Sequence, residues 1–224
     1  MKYFKDIGLY NLEDVLFLDI GTASIVEELE EGSDLAKSWE YKMRKTGLET
    51  FEELNEEFKK SAPLYAPFGM IVSIGLGYIK DCQYRKKNYV GTEAEIIKNI
   101  YADIIRLDKK FICGFNILKY DIPFINFRAL VNRSGVISPF DVSGQKPWEL
   151  KHIVDLSEVL RGTMFANMSL LNVVTAFGLP SPKEDIDGSQ VSWAYYNGEI
   201  KRISEYCDRD VESTAEILKI LINQ

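Results

Sequence analysis

The run Val15-Leu16-Phe17-Leu18-Asp19-Ile20 constrains this chain more than any other stretch. It is apolar without a polar alternation, and carries one carboxylate near its end. Such runs suit a central strand covered on both faces, which requires helices packed on either side of a sheet. A carboxylate buried there costs several kcal/mol or stays protonated, unless it has a partner, hydrogen bonds or a metal. Capping of a nearby backbone turn would explain Asp19 equally well. The length of 224 residues, with 46% hydrophobic and 12% aromatic residues, is enough for one sizeable core, so a single domain over 1–224 is expected.

Composition narrows the chemistry. One histidine, His152, cannot build a His-rich metal site, and Cys82, Cys113 and Cys207 are too far apart for a paired-cysteine zinc site or a disulfide framework. A hydrolase made from this chain must work with carboxylates, tyrosine, lysine or bound metal. The N-terminus lacks the apolar stretch of a signal peptide. The apolar run over 70–79 is half of the roughly 20 residues that span a bilayer. A cytoplasmic chain with no membrane contact is expected. The 34 acidic residues against 27 basic ones, net −7, oppose long-range attraction to nucleic acid but leave room for local basic patches.

Along the chain, residues 25–60 turn Glu- and Lys-rich with helical spacing. Thr50-Phe51-Glu52-Glu53 is a capping box, with Phe51, Leu54 and Phe58 on one face, and Pro63 and Pro67 close the stretch. It reads as a helical insertion after the first strand. Strands follow over 70–79 and, as a polar edge partner, 82–90. Gly75-Leu76-Gly77 lacks the third glycine of a dinucleotide loop and reads as packing. Thr92-Glu93-Ala94-Glu95 opens a helix with Ile96, Ile97, Ile100, Ile104 and Ile105 inward. Phe111-Ile112-Cys113-Gly114 is a buried strand, and the helix after it, over 122–132, is expected to end at Gly135 as its C-cap. A Pro/Gly-rich loop over 135–152 leads to an edge element at 152–156. Helices are expected over 168–177, 189–196 and 199–222. In the last, Ile200, Ile203, Cys207, Val211, Thr214, Leu218 and Leu221 form one stripe. The architecture is α/β, a mixed sheet flanked by helices.

Three further features carry potential chemistry. Asp121 precedes a first-turn proline, so a helix N-cap explains it without function. Asn116 is equally explicable as a turn residue. Tyr206 and Asp210 stand four apart on one helical face, whereas Asp208 points elsewhere, toward an exposed Lys or Arg. Lys119 and Arg128 are the basic residues nearest these positions and candidates for phosphate contact. His152 reads as a loop or edge residue, and Asp155, in Val154-Asp155-Leu156, is a candidate neighbour of the site with no assigned role.

Taken in order, a carboxylate in an early buried strand, Asn116 then Asp121 at a strand-to-helix junction, and Tyr206-x-x-x-Asp210 on a late helix resemble the three motifs of the DnaQ-like 3′–5′ exonucleases. That family has the ribonuclease-H-like fold, and tyrosine at 206 corresponds to its tyrosine subclass. Ile186-Asp187-Gly188-Ser189 followed by Glu205-Tyr206-Cys207-Asp208-Arg209-Asp210-Val211 is more narrowly similar to the predicted exonucleases related to the exonuclease domain of family-B DNA polymerases. The resemblance implies two divalent ions, Mg²⁺ or Mn²⁺, held about 4 Å apart across the scissile phosphate. It implies that Asp19 bridges both, Asp121 supports the second, Asp210 holds the first and Tyr206 orients the attacking water. It puts Gly21, Thr22, Asn116 and Tyr120 beside the substrate, which it implies is a 3′ end of single-stranded DNA, with RNA as the weaker option.

One departure stands out. The family's first motif is Asp-x-Glu, whereas here it is Asp19-Ile20-Gly21. Residues two apart on a strand share a face, so the absent Glu would have stood beside Asp19. Its loss implies a weakened metal position and an activity reduced or lost at Gly21. A catalytically inactive nucleic-acid-binding or scaffold module on the same fold is the alternative.

Overall fold

The computed structural model describes residues 1–146, 149–163, 168–183 and 185–223. Positions 147 and 148 of the loop expected over 135–152 lie outside the described residues. Five strands, β1 (Val15–Ser24), β2 (Gly69–Lys80), β3 (Gln83–Tyr89), β4 (Phe111–Gly114) and β5 (Ile153–Asp155), form one sheet in the order β3-β2-β1-β4-β5. The β3, β2 and β1 strands pair antiparallel, while β1, β4 and β5 run parallel. The apolar run 15–20 is therefore central, as its composition requires.

The helices are α1 (Lys2–Ile7), α2 (Asp34–Met43), α3 (Phe51–Ser61), α4 (Glu93–Leu107), α5 (Asp121–Val131), α6 (Leu156–Arg161), α7 (Leu170–Ala176), α8 (Val191–Tyr196) and α9 (Ile200–Ile222). Alternation along β1 divides the core. Leu16, Leu18 and Ile20 pack with α4 and α5, whereas Val15 and Phe17 pack with α1, α7 and α9. Asp19 shares the parity of Val15 and Phe17 and so lies under α9. The long helix comes very close to β2. A Cβ at Gly75 would lie 3.1 Å from the Cys207 carbonyl oxygen, and one at Gly77 would lie 2.7 Å from Val211. These glycines are packing positions, as their sequence context indicates.

Both capping boxes form, Thr50 with Glu53 and Thr92 with Glu95. The insertion has its own small core. Trp39 is fully buried among Leu54, Phe58 and Phe68, its ring edge-on to Phe58 at 5.3 Å and to Phe68 at 5.0 Å, contacts worth about 0.5–1.5 kcal/mol each beyond area burial.

Three local expectations are corrected. Ile105 is 63% exposed, since it sits one position round the helix from Ile104 and off the stripe. Helix α5 ends through Arg133, not Gly135. Arg133 takes φ 58°, its N–H donates to Leu130 and that of Ser134 to Ala129, a Schellman closure made by a non-glycine residue. Arg128 does not face the crevice at the strand ends. It is half-buried and forms a bidentate pair with Glu93 at 2.9 and 2.7 Å. The short helices α1 and α6 had no periodic signal, being six residues each. Among the described residues no helix is long and apolar enough to cross a membrane.

Candidate active site

The crevice forms where two parallel strands part. Pairing between β1 and β4 stops at Phe17–Cys113, so the β4-side edge of β1 is open further along. The N-terminus of α5 fills the gap. Asp121 is the first residue of that helix, its side chain makes no cap, and its Oδ1 instead accepts from the backbone N–H of Ile20 at 3.1 Å. The N-cap expectation is thus replaced by a bond across 101 positions of sequence.

Asp155 builds the turn that aims this helix. Its carboxylate accepts from the N–H groups of Asn116 (2.9 Å), Leu118 (3.1 Å), Ser157 (3.0 Å) and Glu158 (3.4 Å). It caps α6 and fixes the 115–118 turn at once. Asn116 takes a left-handed φ of 64°, a conformation Asn tolerates well. Tyr120 and Thr22 meet hydroxyl to hydroxyl at 2.7 Å, and the Tyr120 hydroxyl also donates to the Pro63 carbonyl at 3.3 Å. These two residues therefore clamp β1, the start of α5 and the end of the insertion together. Lys119 is exposed and paired with Glu158.

Helix α9 contributes the remaining groups. Tyr206 and Asp210 are both buried, one turn apart over the Asp19 face of the sheet. Besides burial, the charge of Asp210 raises the pKa of both Asp19 and Asp121, and that of Asp121 adds to the rise at Asp19. For Asp19 burial is the main cause, followed by the charges of Asp210 and Asp121. Burial pushes Asp121 up to about 7, against the pull of its own backbone N–H and that of Ile20, with Asp155 and Asp210 adding to the rise. Burial likewise pushes Asp210 up to about 6, opposed by Tyr206, Lys183 and Arg209. Tyr206 is held far above its ordinary value by burial and the neighbouring charges of Asp210 and Asp19, so it stays a neutral hydroxyl. A Cβ at Gly188 would stand 3.6 Å from that hydroxyl, which places the Asp187-Gly188-Ser189 turn against it.

The distinguishing feature is what these acids lack. Asp19 Oδ2 and Asp210 Oδ1 are buried with no hydrogen-bond partner, a rare condition that requires an explanation. Oxygen-only donors of this type suit a hard divalent cation such as Mg²⁺ or Mn²⁺. Among the described residues, no group of three or more His, Cys, Asp or Glu side chains is already gathered as a ligand set. The donor chemistry fits a cation, and Asp121 has one oxygen already committed to Ile20.

Gly21 is next to Asp19 on the same face, and its surroundings are closed. A Cβ there would lie 3.1 Å from Ile203 Cγ2 and 3.2 Å from Cys207 Sγ. Both side chains are fully buried. The Cys207 thiol lies against Asp19 and Ser73, and burial pushes its pKa well up. A bulge in the pairing with β2 falls between Gly21 and Thr22. The stripe on α9 thus fills the volume that a carboxylate at 21 would need. The stripe and the small residue at 21 were each visible in the sequence, but their contact was not, because helical spacing does not say which strand residue a stripe covers. Lys183 and Arg209, which supply positive charge to Asp210, had no sign in the sequence. Lys183 sits in irregular chain, and Arg209 spends its Nε on the Pro182 carbonyl at 2.9 Å.

A family model described as a predicted 3′-5′ exonuclease related to the exonuclease domain of PolB matches residues 66–217. The span takes in Asn116, Asp121, Tyr206 and Asp210, and begins after Asp19 and Gly21. Among solved structures, the family B DNA polymerase from the hyperthermophilic archaeon Pyrobaculum calidifontis is similar, at 18% identity and a TM-score of 0.56 over 92% of this chain. The likeness covers 24% of that polymerase chain. It establishes the fold, a ribonuclease-H-like mixed sheet flanked by helices. No curated protein matches. Since the family model spans more than half of the residues, the chain belongs to the predicted 3′-5′ exonucleases related to the exonuclease domain of PolB.

Proposed function

We propose that this chain hydrolyses phosphodiester bonds at the 3′ ends of single-stranded DNA with divalent metal, at a rate limited by Gly21. The observation that carries this reading is the pair of buried, unpartnered carboxylate oxygens, Asp19 Oδ2 and Asp210 Oδ1, in one crevice with Asp121 and Tyr206. Asp19 and Asp210 would hold Mg²⁺ or Mn²⁺, with Asp121 in support. Such an ion, when bound, neutralises phosphate charge and lowers the pKa of water. The chain's own groups do the rest. Asp121, fixed by the Ile20 N–H, keeps the α5 end of the crevice in place. Tyr206 stays protonated and offers a neutral donor beside Asp210, suited to orienting a water. Lys183 and Arg209 lend positive charge to a crevice that would otherwise repel a phosphate.

A second reading, a nucleic-acid-binding module without catalysis, is favoured by one observation. Ile203 and Cys207 close the place of the fourth carboxylate. The test uses a 3′-labelled single strand with Mg²⁺ or Mn²⁺, with matched RNA alongside. Stepwise shortening from the 3′ end by the parent chain, lost in Asp210→Asn, supports hydrolysis. Binding that weakens with salt but no shortening in either metal supports the module instead.

A further inference from the structure

Trp193 has no place in the catalytic account. Its helix, α8, turns Val191 and Ala194 into the core and leaves Trp193 56% exposed. Trp is the side chain with most to gain from burial, and Trp39 is wholly buried in the same molecule.

The helix under Trp193 is fixed to the end of the strand that bears Asp19. The Ser24 N–H donates to Ser192 Oγ at 3.1 Å, the two serine hydroxyls are also 3.1 Å apart, and the Tyr196 hydroxyl donates to the Ser24 carbonyl at 2.8 Å. Trp193 is therefore held in register with β1. It lines a cleft of about 200 Å³ with Ser24, Glu27, Ser189 and Tyr196. Ser189 follows Gly188, which abuts the Tyr206 hydroxyl, so the cleft adjoins the candidate active site.

Size and charge select the occupant. Clefts for drug-sized ligands measure roughly 300–1,000 Å³, and this one admits a single ring system. Glu27, Glu28 and Lys59 line it, Lys59 paired with Glu28 at 2.6 Å, which leaves the lining with a net negative charge. Carboxylates disfavour a phosphate backbone and tolerate a neutral, flat base. Aromatic platforms that stack bases without regard to sequence are a general means of holding single strands.

We propose that Trp193 is a stacking platform for one base of the single strand whose 3′ end lies at Asp19 and Asp210. This rests on the exonuclease reading above and adds a positioning residue to it. The cleft then sets how the strand is held, through a base a fixed number of nucleotides from the end.

The test measures binding of the full chain to labelled 12-nucleotide strands with Ca²⁺ present, each carrying one abasic position stepped inward from the 3′ end. Parent, Trp193→Ala and Trp193→Phe are compared. One abasic position is expected to weaken the parent about tenfold, and Trp193→Ala to bind the intact strand about tenfold more weakly. Trp193→Ala should then be indifferent to that abasic position, and Trp193→Phe should behave like the parent. Equal binding by the parent and Trp193→Ala, or abasic sensitivity retained in Trp193→Ala, overturns the proposal. If the parent still shortens 3′-labelled strands in that case, the exonuclease reading survives. Absence of both binding and shortening removes both.

Discussion

Two groups of buried acid in this molecule are treated in opposite ways. On α4, Asp103 accepts from Lys87 Nζ at 2.6 Å, the Tyr89 hydroxyl at 2.6 Å and Arg106 Nε at 2.9 Å. Burial alone would raise its pKa, but the three donors outweigh it and hold the carboxyl at about 2. Under α9, Asp19 and Asp210 each keep an oxygen without any partner, and their pKa values go up. In hydrogen bonding alone, Asp155, with four backbone N–H groups, and Glu93, with a bidentate arginine, side with Asp103, although burial still raises the Asp155 pKa. The fold is able to satisfy a buried acid. Where it leaves two with an unpartnered oxygen, the cation proposed above would supply what the fold does not.

The contrast breaks most sharply on substitution. Asp210→Asn should lower strand hydrolysis by more than about 100-fold, since even groups that merely orient a metal's ligands are worth roughly 10–100-fold. Its urea-unfolding stability should match or exceed that of the parent, because a buried repulsion is relieved. Asp103→Asn should do the reverse, costing about 1–3 kcal/mol in the same unfolding measurement and leaving hydrolysis intact. Two substitutions that shift stability in the same direction would dissolve the distinction.

Metal should act on one group alone. At about 100 times its dissociation constant an ion adds about 2.7 kcal/mol, which for a chain of this size raises the melting temperature by about 5–10 °C. Calorimetry with Mn²⁺ should show that rise in the parent and in Asp103→Asn, and none in Asp19→Asn. An equal rise in Asp19→Asn would mean that the ion binds elsewhere.

The two groups also titrate with opposite sign. Asp103 has a lowered folded pKa, so its contribution is present above about 3.9 and is lost as the pH falls toward about 2. Asp210 and Asp121 have raised values of about 6 and about 7. The stability they allow is complete below about 4 and lost as the pH rises through 6 to 7. Unfolding in chelator should therefore show a maximum near pH 4, with the upper limb flattened in Asp210→Asn. A profile that climbs steadily from pH 4 to 7 would contradict this assignment.

The smallest effect concerns Gly21. Its Cβ contacts at 3.1 and 3.2 Å require only small shifts, so Gly21→Ala should cost about 1 kcal/mol through overpacking. A neutral result in chemical unfolding would show that Ile203 and Cys207 yield more readily than their burial indicates.

Much of this was legible in the residues. The central strand, both capping boxes, the α9 stripe and the polar edge strand follow from local pattern, because each depends on residues within one or two turns. Asp121 was legible as a position but not in its contact, since its bond to Ile20 N–H exists only once β4 and β1 have parted. Arg128 read as a phosphate candidate because nothing local to it reveals Glu93, 35 positions away. Asp155 was legible as a neighbour of the site but not in its role, since its four donors come from two segments that meet only in the folded chain. The absence of a carboxylate at 21 was visible, but the two side chains filling its place had to be seen in contact.

The close seat of α9 on the sheet has an evolutionary consequence. Position 21 is not independent of positions 203 and 207: any side chain at 21 begins in tight contact with the present Ile203 and Cys207. A route that introduces Glu at 21 first passes through an overpacked intermediate, whereas one that trims α9 first passes through a cavity. The two orders of substitution differ in cost, and Gly21→Glu combined with Ile203→Ala should be far less damaging than the separate effects added together. A single substitution at 21 is therefore a poor way to ask whether this lineage ever held a fourth carboxylate.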